Sequence, residues 1–262
     1  MIDKISDTQK VEALFGNWKE TLIWSCLENI MGTIYVTSQE NPTSAMAVLG
    51  DFCFFAGSPE KDLVQYKPES YQKDIIIMIP QNDSWGKLIE ETYGEKAKRV
   101  TRYAMKKEYS VFDKGKLQKV ICLLPPEYSL KMVDEDIFHL CKANDWSADL
   151  VSQYETFEEY KSLGIGAVVL KDGVLVSGAS SYSSYQNGIE IEIDTREDYR
   201  RNGLAYVCGA KLILECLERK WYPSWDAQNK WSVALAEKLG YHFDYEYVAY
   251  EVAITKNFRW DI

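Results

Sequence analysis

Between residues 188 and 219 the chain changes period. Ile189-Glu190-Ile191-Glu192-Ile193-Asp194 alternates apolar and acidic residues, the two-residue repeat of a strand. A basic turn follows, Tyr199-Arg200-Arg201-Asn202-Gly203-Leu204-Ala205, and residues 204–219 then form a long apolar stretch with helical spacing. A strand that turns through glycine into a helix leaves several backbone N–H groups without acceptors at the positive end of the helix dipole. Phosphate is the natural ligand of such a turn. Gly203 would let the backbone approach a pyrophosphate closely, and Arg200 and Arg201 add positive charge. No Gly-Lys-Ser/Thr follows and Gly-x-Gly-x-x-Gly is absent, so the turn is neither a nucleotide P-loop nor a dinucleotide fingerprint.

The rest of the chain alternates short apolar strands with amphipathic helices, which predicts an α/β protein with a mixed sheet. Helical spacing runs over residues 11–32, and strands follow at 33–37 and 45–56 as a hairpin. Residues 74–80 read as a buried strand, 84–93 and 114–124 as helices, and 99–108 as a strand between them. Pro125-Pro126 forbids helix continuation, and the charge balance shifts beyond it. Residues 1–126 carry 16 Lys and Arg against 17 Asp and Glu, whereas residues 127–262 carry 14 against 23. A domain junction is therefore expected there, with domains 1–126 and 127–262. In the second, a strand at 128–133, helices at 135–142 and 148–163, and strands at 165–170 and 174–180 precede the 188–195 strand. No repeat with a period of 20 to 50 residues stands out.

A second block supports the anion-binding turn. Asn229-Lys230-Trp231-Ser232-Val233-Ala234-Leu235-Ala236-Glu237-Lys238-Leu239-Gly240-Tyr241 reads as a helix ended by Gly240, with a final strand pair over 241–254. Together, Arg200, Gly203 and Ala205 with the Asn229 helix resemble the GNAT superfamily of N-acetyltransferases. That family's acyl-CoA turn is Arg/Gln-x-x-Gly-x-Gly/Ala. The resemblance covers residues 127–262 and implies a C-terminal GNAT fold preceded by a smaller, diverged α/β domain. It implies acetyl-CoA as donor, with the main chain of Ile193, Asp194 and Thr195 beside the pantetheine arm. The amides of Arg201, Asn202, Gly203, Leu204 and Ala205 would hold the pyrophosphate, with Arg200 nearby. The N–H near Thr195 or Arg196 would form the oxyanion hole, and Asn229 would contact the cofactor arm or cap its helix. The wording of both blocks also looks like the branch that includes zwittermicin A resistance proteins.

Acetyl transfer to an amine requires loss of an ammonium proton, usually to a carboxylate. Alternation puts Glu190, Glu192 and Asp194 on one face of their strand. Glu192 is the favoured base, with Glu190 and Asp226 as the other candidates. Many family members carry a tyrosine seven residues after the asparagine, where it protonates the leaving thiolate. Here that position is Ala236, and Tyr241, Tyr245 or water would have to replace it. The resulting expectation is an N-acetyltransferase acting on a small primary amine by direct attack in a ternary complex. The alternatives are a silent acyl-CoA-binding module and a protein N-acetyltransferase. Residues 1–126 carry no motif, and their expected role is in acceptor specificity.

Six cysteines lie widely apart and only His139 and His242 exist, so no metal site is expected. A formal net charge of -10 argues against a nucleic-acid partner. No apolar run approaches the roughly 20 residues that span a bilayer. The mixed-charge N-terminal residues lead to the expectation of a cytoplasmic protein.

Overall fold

The computed structural model describes residues 2–68, 71 and 73–254. In chain order the elements are β1 (Asp3–Ile5), α1 (Gln9–Phe15), α2 (Thr21–Leu27), β2 (Thr33–Val36), β3 (Ser44–Leu49), β4 (Phe52–Gly57), α3 (Lys61–Gln65), β5 (Ile75–Pro80), α4 (Asp83–Tyr93) and β6 (Ala97–Met105). Then come α5 (Lys114–Cys122), β7 (Tyr128–Met132), α6 (Glu135–Lys142), α7 (Phe157–Leu163), β8 (Gly166–Lys171), β9 (Val174–Tyr185), β10 (Gly188–Thr195), α8 (Leu204–Glu218), β11 (Tyr222–Ser224), β12 (Asp226–Ala227), α9 (Lys230–Leu239) and β13 (Phe243–Ala253). The expected mixed α/β architecture is present. Chemistry at single residues resets several elements. Gly16 at φ 58 ends α1, so residues 11–32 hold two short helices rather than one. Gly50 at φ 57 breaks the expected 45–56 strand into the antiparallel pair β3 and β4. The Thr156 hydroxyl accepts from the Glu159 amide and starts α7 anew, so the 148–163 helix is also interrupted. Residues 241–254 hold one strand, β13, rather than a pair.

The described residues divide into two compact units, one within 2–102 together with 246–254, the other 103–245. Pro125-Pro126 therefore does not mark the division between them. The reason is packing: α5 lies before those prolines, yet its Leu117 and Val120 belong to the same buried cluster as Leu204, Val207 and Ile213 of α8. The C-terminal strand in turn pairs with the first unit, as Tyr250 to Ala253 lie antiparallel to Met78 to Ile75. Strand order had no means of showing such a return.

In the first unit, β1, β2, β3 and β4 pair in antiparallel succession and β4 then pairs in parallel with β5. Its core gathers Met46, Phe55, Ile76, Met78, Trp85 and Val252. In the second unit, β7, β8, β9 and β10 pair in antiparallel succession and β10 then pairs in parallel with β11. Each unit also has two helices after its first strand, one helix in its parallel crossover and one after that crossover. The same topology occurs twice along the chain.

Candidate active site

The site begins where two parallel strands separate. Gly188, Ile189 and Glu190 of β10 pair with Tyr222, Pro223 and Ser224 of β11, and there the pairing ends. The next residues of the departing strand, Asp226 and Ala227, pair instead with Ala104 and Tyr103 of β6. β10 continues beside β9 as far as Thr195. Its second half thus has a sheet neighbour on one edge and an opening on the other. Edge amides need acceptors. Here the chain supplies its own: the Ile193 amide donates to the Glu192 carboxylate at 3.1 Å and the Thr195 amide to the Asp194 carboxylate at 2.6 Å.

Beyond Thr195 the chain enters the turn that sequence had singled out. Gly203 caps α8 at φ 77, and a glycine cap has no side chain to satisfy the first-turn amides. Arg201 is also left-handed, at φ 66, a conformation that costs a non-glycine residue energy and often marks a functional turn. The turn opens on a cavity of about 510 Å³ lined by Thr195, Tyr199, Arg200, Arg201, Gly203, Leu204, Ala205, Tyr206, Trp231, Leu235 and Lys238. Both sequence blocks therefore meet around one space. Arg200 leans back toward the strand, its Nε donating to the Thr195 carbonyl at 3.1 Å with its guanidinium 3.9 Å from Asp194. Open helix amides, positive φ at two turn residues and a cavity of this size fit the pyrophosphate and arm of an acyl-CoA.

The three strand acids differ in surroundings. The register between β10 and β9 shifts by one residue between Glu190 and Ile191, where Tyr182 is the extra residue on β9. Glu190 is 6% exposed, whereas Glu192 and Asp194 are half-buried. Its negative charge helps hold the Tyr185, Tyr222 and Tyr241 phenols above their ordinary range, behind burial as the main cause. Burial likewise raises the Asp194 carboxyl, against the opposing pull of the Thr195 amide and Arg200. Asp226 lies on the strand that has left β10. The Arg196 amide is spent on the Val176 carbonyl, which leaves Thr195 as the amide of that expected pair at the open edge.

Asn229 caps α9, accepting from the Ser232 amide at 2.9 Å. Asn202 holds the Tyr199 carbonyl at 3.1 Å and stiffens the turn. Ala236 is fully buried, so the usual phenol has no room at that position. Tyr241 is also buried, with its hydroxyl donated to the Pro223 carbonyl.

Sequence reasoning passed over four residues here. Ser183 and Ser224 flank Glu190 in the register, and their buried hydroxyls have no hydrogen-bond partner among the described residues. The signal was the serine run over residues 177–184, polar where a central strand should be apolar. Trp231 and Lys238 lie on the cavity side of α9 and were read only as parts of a helix motif.

The GNAT acetyltransferase family model matches residues 12–250, and the chain belongs to that family. The match spans both units rather than the C-terminal half alone. The chain is 29% identical over 240 residues to the uncharacterized N-acetyltransferase YdfB of Bacillus subtilis (strain 168), covering 88% of this chain and 89% of the relative. It is 49% identical to a GCN5-related N-acetyltransferase-like protein from Streptococcus suis 89/1591, with a TM-score of 0.89, 94% of this chain covered and 98% of that one. A tandem GNAT protein from the clavulanic acid biosynthesis pathway shares the fold at a TM-score of 0.57 and 8% identity, over 98% of this chain and 100% of that one. The protein is an N-acetyltransferase. Among the described residues no cluster of metal-ligating side chains occurs and no helix is long and apolar enough to cross a membrane.

Proposed function

We propose that the chain transfers an acetyl group from acetyl-CoA to a primary amine of a small cationic molecule, by direct attack in a ternary complex. The separation of β10 from β11 after the Glu190 and Ser224 pair carries this reading. An extended donor arm can lie along the open edge as an added strand, with its oxygens taking over the Ile193 and Thr195 amides. Its pyrophosphate would rest on the amides of residues 201–205. Those contacts would release the Glu192 carboxylate from the Ile193 amide.

Glu192 then accepts the ammonium proton, directly or through water. The freed amine nitrogen attacks the thioester carbonyl, and the Thr195 amide stabilises the oxyanion that forms. The C–S bond breaks, the proton still carried by the attacking nitrogen passes through water to the thiolate, and the amide and the free thiol leave. Glu190 is the second candidate for the proton, and Asp226 the third. The acidic balance of residues 127–262 favours a cationic acceptor.

The test is thiol release from acetyl-CoA with a panel of small amines, alongside labelled acetyl transfer to protein. Turnover on small amines, lost in Glu192→Gln with donor affinity retained, is the expected result. Label entering only protein would replace the small acceptor with a protein one, and unchanged kcat in Glu192→Gln would move the proton to Glu190.

A further inference from the structure

Ser177 is fully buried on β9, where Cys208 of α8 lies against it with its Sγ 3.8 Å from the serine Oγ. A hydroxyl in such a place costs free energy unless it is hydrogen-bonded, and an apolar residue would need no partner there. Ser177 spends its hydroxyl on two consecutive residues of β10. It donates to the Asp194 carbonyl at 3.2 Å, and its oxygen lies 2.7 Å from the Thr195 hydroxyl. A serine has one proton to give, so the bond between the two hydroxyls runs from Thr195 to Ser177. The result is a chain from the Thr195 hydroxyl through Ser177 to the Asp194 carbonyl, in which each bond polarises the next.

That chain closes on the peptide between Asp194 and Thr195. In a trans peptide the carbonyl and the N–H point in opposite directions. Ser177 draws the Asp194 carbonyl toward β9, which aims the Thr195 N–H at the open edge of β10. The following peptide is fixed as well, since the Thr195 carbonyl accepts from Arg200 Nε at 3.1 Å and the Arg196 amide donates to the Val176 carbonyl at 3.0 Å. The Thr195 amide is therefore held on both flanks, and Ser177 reaches its peptide and its side chain at once.

We propose that Ser177 is a positioning residue for acetyl transfer: together with the Thr195 hydroxyl it locks the Thr195 amide in the direction of the thioester oxygen. This rests on the oxyanion role proposed for that amide. A donor fixed before the reaction needs no reorganisation as charge develops, whereas one that must be turned into place gives back part of what it stabilises. Loss of the clamp should lower kcat and leave donor affinity, which draws on the amides before α8, unchanged.

Steady-state kinetics of the full chain with acetyl-CoA and the fastest acceptor of the small-amine panel, together with calorimetric titration of acetyl-CoA, test it. Ser177→Ala and Thr195→Val should each lower kcat about tenfold, a fraction of the loss that removing an oxyanion donor causes, with acetyl-CoA affinity retained. The double variant should be no slower than the slower single one, since both changes remove the same bond. Thr195→Ser restores a hydroxyl and should recover most of the rate lost in Thr195→Val. Valine keeps the shape of threonine, so the comparison at 195 decides the matter even where Ser177→Ala fails to fold. A hydroxyl pair that only holds the fold would lower the melting temperature and spare kcat. Full kcat in the folded variants therefore overturns the clamp alone. Losses that multiply in the double variant, or that fall on acetyl-CoA affinity instead of kcat, overturn it too. A parent that turns over no amine overturns the proposed transfer, and the clamp with it.

Discussion

Glu190 on β10 and Ser224 on β11 form the last rung that the two parallel strands share. Ser183 faces Glu190 from the other neighbour, β9. Both serine hydroxyls are buried without a hydrogen-bond partner among the described residues. A buried hydroxyl left unpaired costs roughly 1–3 kcal/mol. Ser183→Ala is therefore expected to stabilise the fold by about 1 kcal/mol, as the lost hydroxyl had no partner to abandon. If these hydroxyls serve proton movement near Glu190, the same variant should turn over more slowly. Thermal melts and kcat measured together check both halves. A destabilised Ser183→Ala protein would show that the hydroxyl is paired in solution.

Asp194 carries a pH signature. Its carboxyl lies above the usual value of 3.8 because burial disfavours the charged form. The native state thus holds this proton more tightly than the unfolded chain does. Its contribution is fully present below 3.8 and is lost as pH rises through the raised native value, so charged Asp194 weakens the fold at neutral pH. Asp194→Asn keeps an oxygen for the Thr195 amide and removes the charge. Its melting temperature should exceed the parent's at neutral pH, and the gap should close in acid. A gap that stayed constant across this range would assign the effect to something other than titration.

The turn before α8 yields a paired prediction. Gly203 has open space around the position a Cβ would take, but its φ of 77 strains any L-residue. Gly203→Ala should therefore cost about 1–2 kcal/mol from the backbone alone. Arg201→Gly, at φ 66, relieves such strain and should melt no lower than the parent. Both should weaken acetyl-CoA binding, the first by crowding the amides and the second by removing a charge. Opposite shifts in stability with a common loss of affinity would separate the two roles of the turn. Unchanged affinity in both would remove this turn from the donor site.

Much of the second unit was legible because its signals are local. The alternating acids of β10, Gly203 and the Asn229 cap each need only a few neighbouring residues to be read. Gly16, Gly50 and Thr156 were just as local, but the apolar spacing ran through them and masked the breaks. What sequence hid was non-local. No nearby residue reveals that Tyr250 will pair with Met78, or that Leu117 will pack with the α8 residues across the two prolines. The duplication escaped for the same reason: its period is half the chain, and the two copies agree in strand order rather than in residues. The exposure of Trp231 escaped because an apolar helix position reads as core until its surroundings are known.

The duplicated topology raises the question of a second donor site, and Gln81 answers it. In the first unit the parallel pair does not open at the place corresponding to Glu190 and Ser224. Phe52 to Phe55 pair with Ile77 to Pro80, and the Gln81 amide extends the ladder to the Phe55 carbonyl at 3.0 Å. The Gln81 carboxamide then accepts from the Gly57 amide at 3.1 Å and donates to the Leu14 carbonyl at 2.7 Å, while the Trp85 indole donates to the Gly57 carbonyl at 3.0 Å. The crossover that follows is Ser58-Pro59-Glu60, without arginine, and leads into a helix of only five residues. The protein should therefore bind one acetyl-CoA per chain. Gln81→Ala should cost roughly 1–3 kcal/mol by leaving the Gly57 amide and Leu14 carbonyl unpaired, with the ratio still at one. Calorimetry supplies the ratio and denaturant unfolding the stability. Two donors per chain would show that the first unit opens in solution, and a Gln81→Ala protein as stable as the parent would show that these bonds do not hold it closed.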